Sequence, residues 1–191
     1  TLEASIEVME SRRSEMPERA RAAVDLLRSD VTRFRTLVED LLEISRFDAG
    51  AVPLNLDDLR ALQFVEQVIG VSSAPDTLLI SEARVAGLII QGDRRRLARV
   101  IANLIDNARI HGDGEAKISL EVPTHAGHTE QLFHIAVEDN GPGVPEHERA
   151  LVFERFARGV AAGRRSSGDG SGLGLALVAE HVRLHKGRVW V

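Results

Sequence analysis

Near the C-terminus the chain reads Gly168-Asp169-Gly170-Ser171-Gly172-Leu173-Gly174-Leu175, followed at once by the apolar run Ala176-Leu177-Val178-Ala179. Four glycines within seven positions let backbone pass where a side chain would collide, and they open straight onto a helical pattern. A turn of this kind aims unpaired N–H groups and the positive end of a helix dipole at one point in space, a place that suits phosphate. Alone, the pattern serves equally well as a flexible Gly/Ser turn without a ligand. Two polar clusters upstream give it meaning.

The first is Asn103-Leu104-Ile105-Asp106-Asn107-Ala108-Arg109-Ile110-His111. It closes an amphipathic stretch from Arg94 to Ile110, in which Leu97, Val100, Ile101, Leu104 and Ile105 recur at helical spacing. Asn103 and Asn107 are four apart, so both amides fall on one face about a turn from each other. Capping or a polar surface is one use of such a pair. Another is to offer two neutral oxygen ligands to a hard divalent cation that also binds phosphate, as suits magnesium.

The second cluster, Glu138-Asp139-Asn140-Gly141-Pro142-Gly143-Val144, follows the strand-like run Leu132 to Val137. An Asp at the mouth of such a turn can be a plain Asx turn, or a carboxylate held to accept a hydrogen bond from an exocyclic amine. Next comes Phe153-Glu154-Arg155-Phe156. The segment from Ala157 to Ser171, rich in Gly, Ser and Arg, reads as a lid with too little apolar surface to hold itself rigid.

Asn-x-x-x-Asn, Asp-x-Gly-x-Gly, Phe-x-x-Phe and Gly-x-Gly-x-Gly-Leu, in this order, resemble the N, G1, F and G2 boxes of sensor histidine kinases. The likeness runs from about Gly92 to Val191. It implies an α+β fold, a two-layer α/β sandwich of the GHKL (Bergerat) type, which binds ATP with magnesium beneath a lid. By that resemblance Asp139 recognises the adenine amine, and Gly141 and Gly143 let backbone approach the base. Asn107 ligates magnesium with Asn103 beside it, and Gly170, Gly172, Leu173 and Gly174 shape the loop over the triphosphate. His111 falls near ribose and phosphates, and Arg155 can supply positive charge, as can Arg158, Arg164 and Arg165 from the lid.

The ATPases of that superfamily place a Glu four residues before the magnesium Asn, as general base for water. Here the residue is Asn103, and a neutral amide cannot take a proton near pH 7. Phosphoryl transfer to another acceptor is thereby favoured over hydrolysis. An ATPase module and a non-catalytic dimerising scaffold that binds nucleotide remain the alternatives. The pattern departs from the family at Ile110, where Lys or Arg is common; Arg109 lies one residue earlier, about 100° round the helix.

From Pro17 to Asp48 the chain is different. Val24, Leu27, Val31, Phe34, Val38 and Leu41 alternate three and four apart, an a/d seam flanked by charge. Pro17 reads as a first-turn residue, with Gly50 and Pro53 at the stop. Leu2, Ile6 and Met9 fit the end of an earlier helix, with a polar connection from Ser11 to Met16. A hairpin of this kind cannot bury its seam alone, so pairing with a second copy is expected. The resemblance makes residues 1–50 the dimerisation and phosphoacceptor hairpin, forming a four-helix bundle in a homodimer, and residues 51–191 the ATP-binding domain. Leu56 to Gly70 reads as a helix, Leu78–Ile80 and Leu88–Ile90 as strands.

None of the histidines His111, His125, His128, His134, His147, His181 and His185 stands in the acceptor context of the family. The chain therefore reads as a fragment, with the acceptor upstream of Thr1 and a strand beginning at Lys186–Val191 continuing beyond it. The His125-x-x-His128 pair lacks a carboxylate or Cys at ligand spacing and reads as a surface loop. At 43% hydrophobic the 191 residues suffice for one core plus an accessory element. A net charge of −5 disfavours a nucleic-acid surface, and without cysteine there is no disulfide framework. Resemblance further implies a response-regulator receiver domain as partner, and a cytoplasmic location in a sensor anchored to a bacterial membrane by other segments.

Overall fold

A computed structural model describes residues 2–50, 53–112, 114–123, 132–157 and 172–191. The chain divides into two compact units, Thr1–Gly50 and Ala51–Val191.

In the first unit α1 (Leu2–Ser11) is joined to α2 (Glu18–Asp48) through a 3-10 turn at Arg13–Glu15. Pro17 stands at the N-cap, one place before the first helical turn expected for it, and its carbonyl accepts from Ala20 and Arg21. Its ring presets φ there and its lack of an N–H costs nothing. Arg13 makes a forked pair with Asp25 at 2.6 and 2.7 Å, and Arg28 reaches Glu10 at 2.8 Å. These exposed pairs fix the register of the two helices more than they stabilise them. Along the α2 seam Val24 is buried and Val31 and Val38 half-buried, whereas Phe34 and Leu41 stay exposed. Two helices thus leave much of that apolar line in water.

In the second unit β1 (Asp57–Arg60) pairs antiparallel with β3 (Ile89–Gly92). A separate three-stranded sheet holds β2 (Leu78–Ser81), β4 (Ala116–Glu121) and β5 (His134–Asp139), in the order β2-β4-β5. β2 runs parallel to β4 with Leu79 opposite Ile118, and β5 antiparallel with Val137 opposite Ile118. The helices are α3 (Ala61–Gly70), α4 (Arg94–His111) and α5 (Gly174–Leu184). Phe64 and Val65 of α3, Ile101 and Ile105 of α4, and Ile118 and Leu120 of β4 share one core. Their spacing on α4 puts the apolar stripe against the sheet and leaves another face to the Asn pair.

Two expectations are corrected. The segment expected as a helix from Leu56 begins as strand β1, because pairing with β3 satisfies its backbone and sends Leu59 alone into the core, its neighbours staying exposed. Residues 187–191 join no ladder among the described residues. Lys186 takes a left-handed backbone (φ 59), its N–H donating to the Arg183 carbonyl and that of Gly187 to the Val182 carbonyl. This Schellman closure turns the chain away from helix. Beyond it the ring of Trp190 meets that of His134 edge-on at 5.5 Å.

One acidic residue ties three segments of this unit together. Asp93 caps α4, its Oδ1 accepting from the Arg96 N–H at 3.1 Å. Its Oδ2 accepts from the Asn55 N–H at 3.1 Å and from the Arg96 guanidinium at 3.3 Å. Its own N–H donates to His185 Nε2 at 2.9 Å, while Nδ1 of that ring meets the His181 carbonyl at 2.7 Å. A carbonyl can only accept, so the ring carries its proton on Nδ1. Burial of Asp93 would raise its pKa, but the Asn55 and Arg96 N–H groups and the Arg96 charge outweigh it and hold the carboxyl below its usual range.

A carboxyl lowered by folding contributes stability above its unfolded pKa, about 3.9, and loses it as pH falls through the lower folded value. Asp93→Ala should cost about 0.5–2 kcal/mol in chemical denaturation at pH 7. Asp93→Asn keeps a cap and should cost less, and its deficit against the native chain should shrink as pH is lowered through the carboxylate range. A deficit that stays constant with pH would contradict the charge-based part of this account.

Candidate nucleotide-binding site

Asn103 and Asn107 lie on α4, both half-buried. The amide Nδ2 of Asn103 donates to the Gly174 carbonyl at 3.3 Å, so the first residue of α5 rests on the middle of α4. A side chain at Gly174 would begin 3.9 Å from the Asn103 amide carbon, an ordinary contact. The start of α5 is thereby placed beside Asn103, and α4 and α5 pack against each other.

Asp139 ends β5. Its Oδ1 accepts from the Gly141 N–H at 2.8 Å, an Asx turn. A β-carbon on Gly141 would stand 2.4 Å from the His111 carbonyl oxygen, so the turn is pressed on the last residue of α4 and admits glycine alone. The backbone of His111, then, meets the Asp139 turn, and the residue itself is exposed. Gly143 has φ 73 with open space around it.

The F-box end and the entry to α5 meet as well. The Phe156 N–H donates to the Gly172 carbonyl at 2.8 Å, and Gly172 has φ 68 with Phe156 and Ala157 backbone 3.0 Å from where a β-carbon would sit. The two sides of residues 158–171 are therefore fastened to each other. Phe156 adopts φ 61 with its ring exposed, an outlier for a bulky residue that marks stored strain. Arg155 is exposed. The side chain of Leu173 is wholly buried at the start of α5. Gly170, Arg158, Arg164, Arg165, His125 and His128 lie outside the described residues.

Along α4 the structure thus sets Gly174 against Asn103 and the Asp139–Gly141 turn against His111 and Gly112, with Asn107 on the helix between them, while Gly172 meets the F-box end. Among the described residues there is no cluster of three or more His, Cys, Asp or Glu fit to hold a metal. Any cation here would rest on amide oxygens and on oxygens of its own ligand, a donor set that suits a hard ion. A cleft of about 480 Å³ lies elsewhere, lined by Phe64, Val68, Val71, Arg94 and Ala98, and shares no residue with this group. Three contributors were not read from the sequence: Asp93, Gly112 and His185. An Asp just before a helical pattern is a cap signal that could have pointed to the first. His185 acts on a residue 92 positions away, which no local pattern reveals.

The second unit is an α/β domain, and comparison with known proteins makes the class specific. The family model described as histidine kinase-, DNA gyrase B- and HSP90-like ATPase matches residues 92–191, and the chain belongs to that family. Its curated relatives are named as sensor kinases. Signal transduction histidine-protein kinase AfsQ2 of Streptomyces coelicolor is 37% identical over 167 residues, 87% of this chain and 29% of that protein. Sensor histidine kinase MtrB of Mycobacterium leprae is 34% identical over 180 residues, 92% of this chain and 31% of that protein. The chain thus spans about three-tenths of the length of these relatives. Full-length ShkA, crystallised in complex with AMPPNP, superposes with a TM-score of 0.69 at 26% identity, covering 92% of this chain and 36% of that one. The histidine kinase AdeS of Acinetobacter baumannii shares the fold at a TM-score of 0.60 and 23% identity, with coverage of 96% and 84%. No helix among the described residues is long and apolar enough to cross a membrane.

The close approach at Gly141 can be checked without any ligand. Gly141→Ala should cost about 1–3 kcal/mol, since the new methyl meets a backbone oxygen that cannot swing away. Asn140→Ala, on the exposed side of the same turn, should change stability by less than about 0.5 kcal/mol in thermal unfolding. Equal effects would mean that the turn is not pressed on α4.

Proposed function

We propose that residues 51–191 form the ATP-binding catalytic domain of a sensor histidine kinase and that it binds Mg-ATP at the α4–α5 junction. The observation that carries this reading is the bond from Asn103 to the Gly174 carbonyl, which sets the start of α5 beside Asn103. In this reading Asn107, with Asn103, holds the magnesium ion, and the N–H groups at the start of α5 face the phosphates. Asp139 accepts a hydrogen bond from the adenine amine while Gly141 holds its other oxygen. Magnesium, when bound, draws charge from the phosphates and keeps the terminal group in line for transfer.

Asn103 decides the fate of that group. Its amide has no basicity near pH 7 and already donates to Gly174, so water beside it finds no general base. The phosphoryl group is kept for the imidazole of a histidine, and from there for the aspartate of a response-regulator receiver domain. We further propose that residues 1–50 supply the dimer contact, on the strength of the exposed Phe34 and Leu41 along the α2 seam. In the whole protein these parts would stand on the cytoplasmic side of a membrane-anchored sensor.

Titration calorimetry with Mg-ATP tests the binding reading. Asp139→Ala should weaken ATP by roughly 10–100-fold, the equivalent of about 1–3 kcal/mol for an amine left unpaired. Asn107→Ala should remove the magnesium dependence of binding while thermal unfolding stays native. Unchanged affinity in both variants would overturn the assignment. With γ-labelled ATP the chain alone should neither become labelled on histidine nor release phosphate rapidly. Fast release would favour the ATPase alternative.

A further inference from the structure

The residue that ends α4 makes a contact that no motif signals. Gly112 is buried, with a backbone (φ −106, ψ 30) that any residue can adopt, so handedness does not call for glycine. Space does. A β-carbon there would stand 2.3 Å from Cβ and 2.8 Å from Cγ of Asp139, and 2.4 Å from the Ala108 carbonyl oxygen. That oxygen accepts the Gly112 N–H at 2.7 Å, so the last turn of α4 is already drawn tight. A methyl group could be fitted only by moving Asp139 or the end of the helix.

Asp139 is held from its other side too. The Gly141 N–H binds its Oδ1, and Gly141 is itself lodged against the His111 carbonyl. Two glycines, one ending α4 and one in the turn after β5, therefore flank Asp139. Gly141 fixes which way the carboxylate points. Gly112 fixes how closely this exposed residue approaches the end of α4. A hydrogen bond weakens steeply with distance and angle, so displacing the acceptor by the width of a methyl group abolishes its selectivity for an amine.

We infer that Gly112 is a positioning residue for base selection: by lacking a side chain it lets Asp139 lie close enough to the end of α4 that a 6-aminopurine nucleotide is preferred over its 6-oxo counterpart. The inference rests on Asp139 as the adenine acceptor, and it concerns a residue that does not itself touch the base.

The test compares Mg-ATP with Mg-ITP, which differ at the 6-position, using the full chain and displacement of a fluorescent ATP analogue. Gly112→Ala should be less stable than the native chain but still folded at the assay temperature, and there it should weaken ATP at least tenfold and ITP less than twofold, so that the preference collapses. Equal loss for the two nucleotides, or no loss for either, would overturn the proposal by reducing Gly112 to general packing. Asp139→Ala is the reference. If it leaves the ATP preference intact, the adenine reading itself fails; if it abolishes the preference and Gly112→Ala does not, only the positioning role fails. Should Gly112→Ala not fold, the double variant Gly112→Ala/Asp139→Gly removes the atom that the methyl strikes and should fold again. A double variant that stays unfolded would place the demand for glycine on the Ala108 carbonyl and contradict the role given to Asp139.

Discussion

Everything in the second unit depends on α4 being held at both ends by atoms that cannot shift independently. At its start Asp93 caps the helix, receives the chain at Asn55 and ties the end of α5 through His185. At its finish Gly112 and the His111 carbonyl lie against Asp139 and Gly141 with no room for a further atom. Between these ends Ile101 and Ile105 are wholly buried in the core. A helix held in this way fixes the backbone of Asn103 and Asn107, and the amide of Asn103 is held further by the Gly174 carbonyl.

The same arrangement holds α5 at both of its ends. α5 is secured at its start by Asn103 and Leu173, and at its finish by the His185 clasp and the Schellman turn around Lys186. Its first residue, Gly174, is the part of it that meets α4 through Asn103. Residues 158–171 are spanned by the bond between Phe156 and Gly172, so whatever conformation they take, their two ends stay together. The strained backbone of Phe156 sits at that junction, where a change in the loop would be felt first.

Much of this was legible in the residues because spacing carries geometry. Asn103 and Asn107 four apart, Asp139 two before Gly141, and glycine at the opening of α5 all describe local backbone, and the structure places these elements around one helix. What stayed hidden was non-local or purely steric. Nothing near His185 in sequence says that its ring will meet the Asp93 N–H. Gly112 resembles an ordinary helix-ending glycine until Asp139 is seen against it. The strand at Asp57–Arg60 was masked by the helical pattern that follows, since a strand of this length shows its period only once its partner is known. Leu173 looked like part of a loop motif, yet its side chain belongs to the core.

The central claim is that α4, the Asp139 turn and the first turn of α5 make one nucleotide site. Backbone amide NMR of the chain, titrated with Mg-ATP and then with Mg-GTP, tests it most directly. The account predicts that ATP moves the amides of Asn107, Asp139, Gly141 and Gly174 together along one saturation curve, and that GTP at the same concentration moves them little. Shifts confined to the cleft around Phe64, Val71 and Arg94, or equal responses to the two nucleotides, would contradict it.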